Sequence, residues 1–189
     1  MAELATVLAQ IERCQLCADN LPDAPKPILQ FSSQAKILLA GQAPGRLARL
    51  HGRPFADPSG ELLRRWLGVN EQQFYDPSCF AIVPMAFCFP GRGKSGDNPP
   101  PVICQQTWHQ RLLALNSNIQ LTICIGSYAQ QFHMAKQSVT TLVQQYQQWL
   151  PSKIALPHPS PRNRYWLAQN PWFEQEVIPQ LQARVASLI

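Results

Sequence analysis

The sequence predicts a three-layer α/β/α fold built on a short, mostly parallel four-stranded sheet. Four short apolar runs alternate with amphipathic stretches, a pattern typical of strands that alternate with helices. Each run is nearly continuously apolar, as expected of a parallel strand that is covered on both faces. With 189 residues, 46% of them hydrophobic, the chain predicts a single domain over residues 1–189 with a substantial core.

Each predicted strand is followed by a loop of unusual composition. The strands are expected at residues 36–40, 80–85, 121–125 and 153–156. Helices are expected over residues 3–14, 59–67, 102–115, 127–134, 138–149 and 173–188. Ser59 is the expected N-cap of the second helix, and Gly68 follows its end. Because ligands bind beyond the carboxyl ends of parallel strands, the predicted site lies where these loops gather.

Composition excludes several classes of protein. The formal net charge of +5 permits an anionic partner such as nucleic acid without requiring one. No stretch approaches the ~20 apolar residues of a membrane helix, and the N-terminus lacks the basic start and apolar run of a signal peptide. We therefore expect a cytoplasmic protein without a membrane partner. In a reducing compartment, closely spaced cysteines bind metal more often than they form disulfides.

Two glycine-containing loops follow the first strand. Gly41-Gln42-Ala43-Pro44-Gly45 can present backbone N–H groups to a carbonyl or an anion, or it is an ordinary exit from a strand. Gly52-Arg53-Pro54-Phe55 holds a ring that can stack on a flat ligand or anchor the loop in the core. Five arginines against two acidic residues between positions 42 and 65 indicate either phosphate contacts or a solvated face.

Two further segments carry candidate chemistry. Pro157-His158-Pro159-Ser160-Pro161-Arg162-Asn163 is a loop stiffened by proline, in which a neutral imidazole can donate to a developing negative charge. The alternative is a structural histidine. Cys14 and Cys17 form a C-x₂-C pair at a helix end, and Cys88 and Cys104 can complete four sulfur ligands for an iron–sulfur cluster or zinc. The alternative is that these cysteines are small buried hydrophobic residues.

Taken together and in this order, these segments resemble the uracil-DNA glycosylase superfamily. The Gly41–Gly45 loop, Gly52-x-Pro54-Phe55 and Ser59-Gly60-x-Leu62-Leu63 resemble the first motif of its iron–sulfur-containing branch. Cys14, Cys17, Cys88 and Cys104 match the four cluster ligands of that branch. The His158 loop resembles the second motif and is closest to its form in the single-strand-selective monofunctional branch. The resemblance covers nearly the whole chain.

The resemblance implies a monofunctional glycosylase of DNA base-excision repair that contains a [4Fe–4S] cluster and acts as a monomer. Such an enzyme hydrolyses the N-glycosidic bond of a flipped, deaminated base, with uracil favoured here, and leaves an abasic site. The implied catalytic residues are His158, Gln42 and Asp57. The implied base-binding residues are Gly41, Gln42, Ala43, Phe55 and Asn163. Ser160 and Arg162 are the implied DNA contacts, and zinc is the alternative metal.

Two positions depart from the family pattern. Ala43 stands where other branches place Asp or Asn to orient the attacking water. Pro84 stands four residues before Cys88, where the iron–sulfur branch has the Asn that reads uracil. A proline has neither a side-chain amide nor an N–H. The alternative function is therefore a catalytically weak or inactive nucleic-acid-binding protein of the same fold.

Overall fold

The computed structural model describes residues 2–94 and 96–189. The described α-helices are α1 (Ala2–Glu12), α2 (Arg46–His51), α3 (Pro58–Leu67), α4 (Glu71–Phe74), α5 (Val102–Leu113), α6 (Ser127–His133), α7 (Val139–Gln144), α8 (Tyr146–Trp149), α9 (Arg164–Gln169) and α10 (Ile178–Ala186). The strands are β1 (Ile37–Ala40), β2 (Phe80–Ile82), β3 (Arg92–Gly93), β4 (Gly96–Asp97), β5 (Leu121–Ile125) and β6 (Lys153–Leu156). Short 3₁₀ turns cover Ala18–Asn20 and Pro161–Asn163, and a π-helical turn covers Phe173–Val177.

The central sheet has four strands in the order β2-β1-β5-β6, and all neighbouring strands are parallel. Leu38 of β1 pairs with Ala81 of β2 on one side and with Thr122 of β5 on the other. Every residue of β1 and β2 is buried, which explains why these segments are apolar throughout. The predicted four-stranded sheet is confirmed, and it is parallel throughout rather than mostly parallel.

Helices cover both faces of this sheet. Because side chains alternate along a strand, Ile37 and Leu39 face one layer and Leu38 faces the other. The first layer contributes side chains of α3, α7 and α10, namely Leu63, Leu142 and Leu181. The second contributes side chains of α1 and α5, namely Val7, Ile11, Trp108 and Leu112. The three-layer arrangement predicted from the sequence is therefore confirmed.

Several helix boundaries differ from those predicted. Helix α3 begins at Pro58, and the predicted N-cap at Ser59 is wrong, because the Asp57 side chain accepts from the N–H of Gly60 at 2.9 Å. Proline favours the first helical position, so the residue before it becomes the cap. Helix α1 ends at Glu12 rather than at Cys14, and the stretch predicted over 138–149 is divided between α7 and α8.

The C-terminal helix and the short elements also differ from expectation. A π-helical turn precedes α10, in keeping with Pro179, which has no N–H for an α-helical hydrogen bond. The sequence pattern does not predict α2, α4, α9 or the hairpin of β3 and β4, since elements of two to six residues are too short to show a period. Among the described residues, none of the helices combines the length and the apolarity needed to span a bilayer.

Candidate active site and four-cysteine cluster

A cleft of about 500 Å³ opens at the carboxyl ends of β1, β2 and β6. The residues predicted for catalysis, base binding and DNA contact all line it: Gly41, Gln42, Ala43, Phe55, Asp57, His158, Ser160, Arg162 and Asn163. Parallel strands end at one edge of their sheet, so segments more than 100 residues apart along the sequence meet there. The structure thus brings the predicted residues together in one concave site.

Phe55 is held in a backbone conformation that is unusual for a residue with a side chain. Its φ is 52°, which is the left-handed region. A Cβ on Gly60 would lie 1.9 Å from the Phe55 carbonyl oxygen, so the start of α3 can approach this loop only with glycine there. The Tyr75 hydroxyl donates to the Pro54 carbonyl at 2.8 Å and fixes the other side of the loop. The Phe55 ring consequently extends toward Gly41, with Cζ 3.6 Å from where a Gly41 Cβ would be.

Pro84 reaches the cleft because the segment after β2 runs alongside the Gly41–Gly45 loop. The N–H of Met85 donates to the Gly41 carbonyl at 2.8 Å, and that of Ala86 donates to the Gln42 carbonyl at 3.1 Å. Pro84 lies just before these contacts and lines the cleft wall. Its carbonyl is 3.0 Å from Nε2 of the buried His109. Since a carbonyl can only accept, this nitrogen carries the proton.

His158 is fixed by its own loop. The Asn163 side-chain amide donates to the His158 carbonyl at 2.7 Å, and the Ser160 N–H donates to the same oxygen at 2.8 Å. The flanking residues Pro157 and Pro159 are buried. Asn163 also lines the cleft. The residue that holds the His158 loop closed is therefore itself part of the site.

The charge state of His158 is set by burial and by two carboxylates. Burial lowers the pKa of His158, and the negative charges of Asp57 and Asp97 act in the opposite direction without reversing the shift. The ring is therefore neutral at about pH 7. Both carboxylates also come within 3.8 Å of the position that a Gly45 Cβ would take. Asp57 additionally caps α3, so one of its oxygens has a structural partner.

Asp97 and its hairpin are not predicted from the sequence. Nε2 of Gln42 donates to the Asn98 carbonyl at 2.9 Å and thereby ties the hairpin of β3 and β4 to the first loop. The Asn98 amide in turn donates to the Pro90 carbonyl at 3.1 Å, and a Cβ on Gly93 would meet the Asn98 side-chain oxygen at 2.7 Å. The available signal was the cluster of Gly and Asn residues between Cys88 and Cys104, which is typical of a tight turn.

Arg162 and Ser160 lie at the rim of the cleft. Arg162 is exposed, and its Nη1 comes within 3.2 Å of the position a Gly96 Cβ would take. Gly96 has a φ of 150°, a backbone conformation that favours glycine. The missing side chain also leaves room for the Arg162 guanidinium. The Ser160 hydroxyl accepts from the Arg162 N–H at 3.3 Å and begins the 3₁₀ turn that presents the arginine.

The four predicted metal-binding cysteines line one small, apolar cavity of about 20 Å³: Cys14, Cys17, Cys88 and Cys104. Their thiols are free. Burial raises the pKa of Cys17 and Cys88 and raises that of Cys104 to about 12, and neighbouring thiolates of the set add to this effect. Four thiolates in an apolar cavity therefore need a cationic group to be stable. The other two cysteines lie elsewhere: Cys124 in β5 and Cys79 before β2.

Over residues 2–94 and 96–189, no three His, Cys, Asp or Glu side chains are grouped closely enough to hold one metal ion. A [4Fe–4S] cluster is held by four Cys thiolates, one on each iron. The four-thiol donor set and the apolar lining of the cavity fit a four-sulfur cluster site.

Comparison with known proteins gives a consistent result. The family described as "Uracil DNA glycosylase superfamily" matches residues 29–182. A type-4 uracil-DNA glycosylase from Archaeoglobus fulgidus is 26% identical over 140 residues. That match covers 70% of this chain and 64% of the relative, so the chain aligns with less than two thirds of the relative's length. The matched region contains the cleft residues of β1, β2 and β6. The chain belongs to the uracil-DNA glycosylase superfamily.

Proposed function

We propose that the protein is a monofunctional DNA glycosylase of base-excision repair. It hydrolyses the bond between the sugar and a deaminated base flipped into the cleft, with uracil as the favoured base, and leaves an abasic site. The observation that carries this proposal is the meeting of a neutral His158, the Phe55 ring and the Gly41–Gly45 loop in one cleft. We further propose that residues 1–189 act as one domain, as a cytoplasmic monomer.

The base is held by stacking and by hydrogen bonds. The Phe55 ring stacks on its face, an interaction worth ~1–3 kcal/mol for a base on an aromatic side chain. Backbone amides of the first loop, at Gln42 and Ala43, bind a carbonyl of the base, and Gly41 leaves room for close approach. Asn163, which lies in the His158 loop, also contacts the base. The left-handed backbone conformation of Phe55 supports its stacking role, because strained backbone conformations are kept where the surroundings require them.

Catalysis relies on stabilising the departing base. As the bond from C1′ to the base nitrogen breaks, its electron pair goes to the base, and negative charge develops on a carbonyl oxygen. The neutral His158 ring donates its N–H to that oxygen. Water adds to C1′, and its proton is lost to solvent or to the released base. Gln42 and Asp57 orient this water, although an amide cannot act as a strong base.

DNA contacts at the rim keep the base out of the duplex. The Ser160 hydroxyl contacts a backbone phosphate. Arg162 enters the gap that the flipped base leaves in the stack. Its exposed position at the mouth of the cleft supports this role.

We propose that Cys14, Cys17, Cys88 and Cys104 hold a [4Fe–4S] cluster, with zinc as the less favoured alternative. When bound, the cluster has a structural role rather than a redox role in base release. The four cysteines tie the segment after α1 to the segment after β2 and to the first turn of α5. Anaerobic purification followed by iron and sulfide analysis and visible absorbance tests this. A colourless protein with stoichiometric zinc would contradict the cluster but keep the ligands.

One observation favours a second function. Pro84 offers no side-chain amide to read uracil, and it lines the cleft where such a group is expected. A protein of this fold that binds DNA without releasing a base would tolerate that change.

A panel of substrates separates the two functions. Single- and double-stranded oligonucleotides bearing uracil, hypoxanthine or xanthine are incubated with the protein and then cleaved by alkali at abasic sites. Cleavage of uracil substrates supports the glycosylase. Binding without cleavage of any substrate supports the second function.

A further inference from the structure

A groove of about 470 Å³ adjoins the cleft, and we call it the basic groove. Its wall carries four cationic side chains and one acidic side chain: Lys26, Arg46, Arg49, Arg92 and Asp23. Arg46 and Arg92 also line the cleft, so the two cavities meet at these residues. A ligand that occupies the cleft can therefore continue into the basic groove.

Two of the four cations are used to build the groove. Nζ of Lys26 donates to the Arg49 carbonyl at 2.8 Å, at the C-terminal end of α2. Nε of Arg49 pairs with the Asp23 carboxylate at 3.2 Å. Asp23 is thus neutralised by Arg49, and these contacts fix α2 against the segment before β1.

The other two cations have no such role. Arg46 and Arg92 are exposed, and within the part of the chain that the structure describes neither guanidinium forms an ion pair or a hydrogen bond. Arg46 also occupies the first turn of α2, where the helix dipole disfavours a positive charge. Arg46 thus breaks a local rule, as positions kept for function do, and both guanidinium groups are available to an anionic ligand.

The position of these cations identifies the ligand. A nucleotide whose base lies in the cleft is joined to its neighbours by phosphodiesters, and the strand must leave the cleft. Leu50 is 68% exposed on the groove wall and offers an apolar surface to a sugar or an unstacked base. We propose that the basic groove binds the DNA strand next to the flipped nucleotide, with Arg46 and Arg92 contacting its phosphates. This inference rests on the proposed function and extends it to the path of the strand.

The salt dependence of DNA binding tests the proposal. Each phosphate contact contributes ~0.7 to the slope of log K against log salt for a single strand. Binding of an undamaged, fluorescein-labelled single-stranded oligonucleotide is measured by anisotropy between about 50 and 200 mM salt. We expect the double variant Arg46→Gln/Arg92→Gln to flatten the slope by ~1.4, about equally for different sequences.

Arg65→Gln is the matched control. Arg65 is an exposed arginine near the C-terminal end of α3, where its carbonyl accepts from the Gln182 side chain at 3.0 Å, and it does not line the groove. Arg65→Gln removes one positive charge outside the groove, where the double variant removes two inside it, so its slope should stay at the wild-type value. A slope unchanged in the double variant, or flattened as much by Arg65→Gln, would overturn the proposal. If the wild type releases no base but the double variant still flattens the slope, the groove stands and the glycosylase function fails.

Discussion

Gly60 is the position at which one added methyl group would most disturb the candidate base pocket. In Gly60→Ala the new Cβ would lie 1.9 Å from the Phe55 carbonyl oxygen and 2.8 Å from its carbonyl carbon. A non-bonded carbon–oxygen contact is about 3.3 Å at its closest, so the two backbones must separate by roughly 1.4 Å. Both neighbours are main-chain atoms, so no flexible side chain can absorb the change.

The Phe55 loop is the part expected to move. The start of α3 is held by the Asp57 cap, which accepts from the Gly60 N–H at 2.9 Å. Overpacking of this kind costs about 1–3 kcal/mol of unfolding free energy. A displacement of about 1 Å in a positioned group lowers the rate by roughly 10²-fold. We therefore expect Gly60→Ala to be destabilised and to release uracil roughly 10²-fold more slowly, as measured by single-turnover base release and urea unfolding.

Gly68→Ala separates the loss of stability from the loss of the pocket. Gly68 ends the same helix with a φ of 69°, where an alanine costs ~1–2 kcal/mol. The nearest atom to its Cβ would be Cγ of the Gln182 side chain, at 3.2 Å, and neither residue lines the cleft. We expect similar destabilisation with normal base release. Wild-type release by Gly60→Ala, at a stability as low as that of Gly68→Ala, would refute the assignment of Phe55 as the stacking surface.

Three further predictions concern catalysis, duplex opening and pH. His158→Ala should slow single-turnover base release by roughly 10²–10³-fold, more than Gln42→Ala, because it removes the donor to the developing charge; a larger loss in Gln42→Ala would contradict these roles. Arg162→Ala should lower the rate on double-stranded substrate more than on single-stranded substrate, because only the duplex needs a side chain in the vacated stack; equal losses would contradict this. Burial lowers the pKa of His109 from 6.5 to about 4, so the unfolded chain takes up a proton first and stability falls as the pH falls through that range. In His109→Gln the side chain keeps a donor for the Pro84 carbonyl but cannot titrate. Between pH 6.5 and about pH 4, urea unfolding of this variant should therefore show up to roughly 3 kcal/mol less loss of unfolding free energy than the wild type shows. An unchanged loss would exclude His109 as the cause.

The sheet and the position of the cleft could be predicted from the sequence because they depend on strong, local patterns. Fully buried strands such as β1 are apolar throughout, and the glycine, proline and histidine residues directly follow them. Phe55 and His158 were found in the same way, since each lies in a loop stiffened by proline. Folding then brings these loops to one edge by topology alone.

The remaining features depend on contacts that no local pattern encodes. Asp97 enters the cleft because Gln42 binds the backbone beside it, a contact between residues 56 positions apart. The requirement for glycine at Gly60 follows from the path of the Phe55 loop rather than from its own helix. Likewise, the five arginines between positions 42 and 65 look alike in the sequence. Only the structure separates Arg46, in the cleft wall, from Arg53, which pairs with Glu71 at 2.6 Å.

Direct analysis of the reaction products is the sharpest test of the glycosylase function. The wild-type protein is incubated with a uracil-containing oligonucleotide, and the products are examined by mass spectrometry without alkaline treatment. We expect free uracil together with an intact strand that carries one abasic site, because water breaks only the glycosidic bond. An unchanged oligonucleotide under conditions where the protein binds it would contradict the glycosylase function.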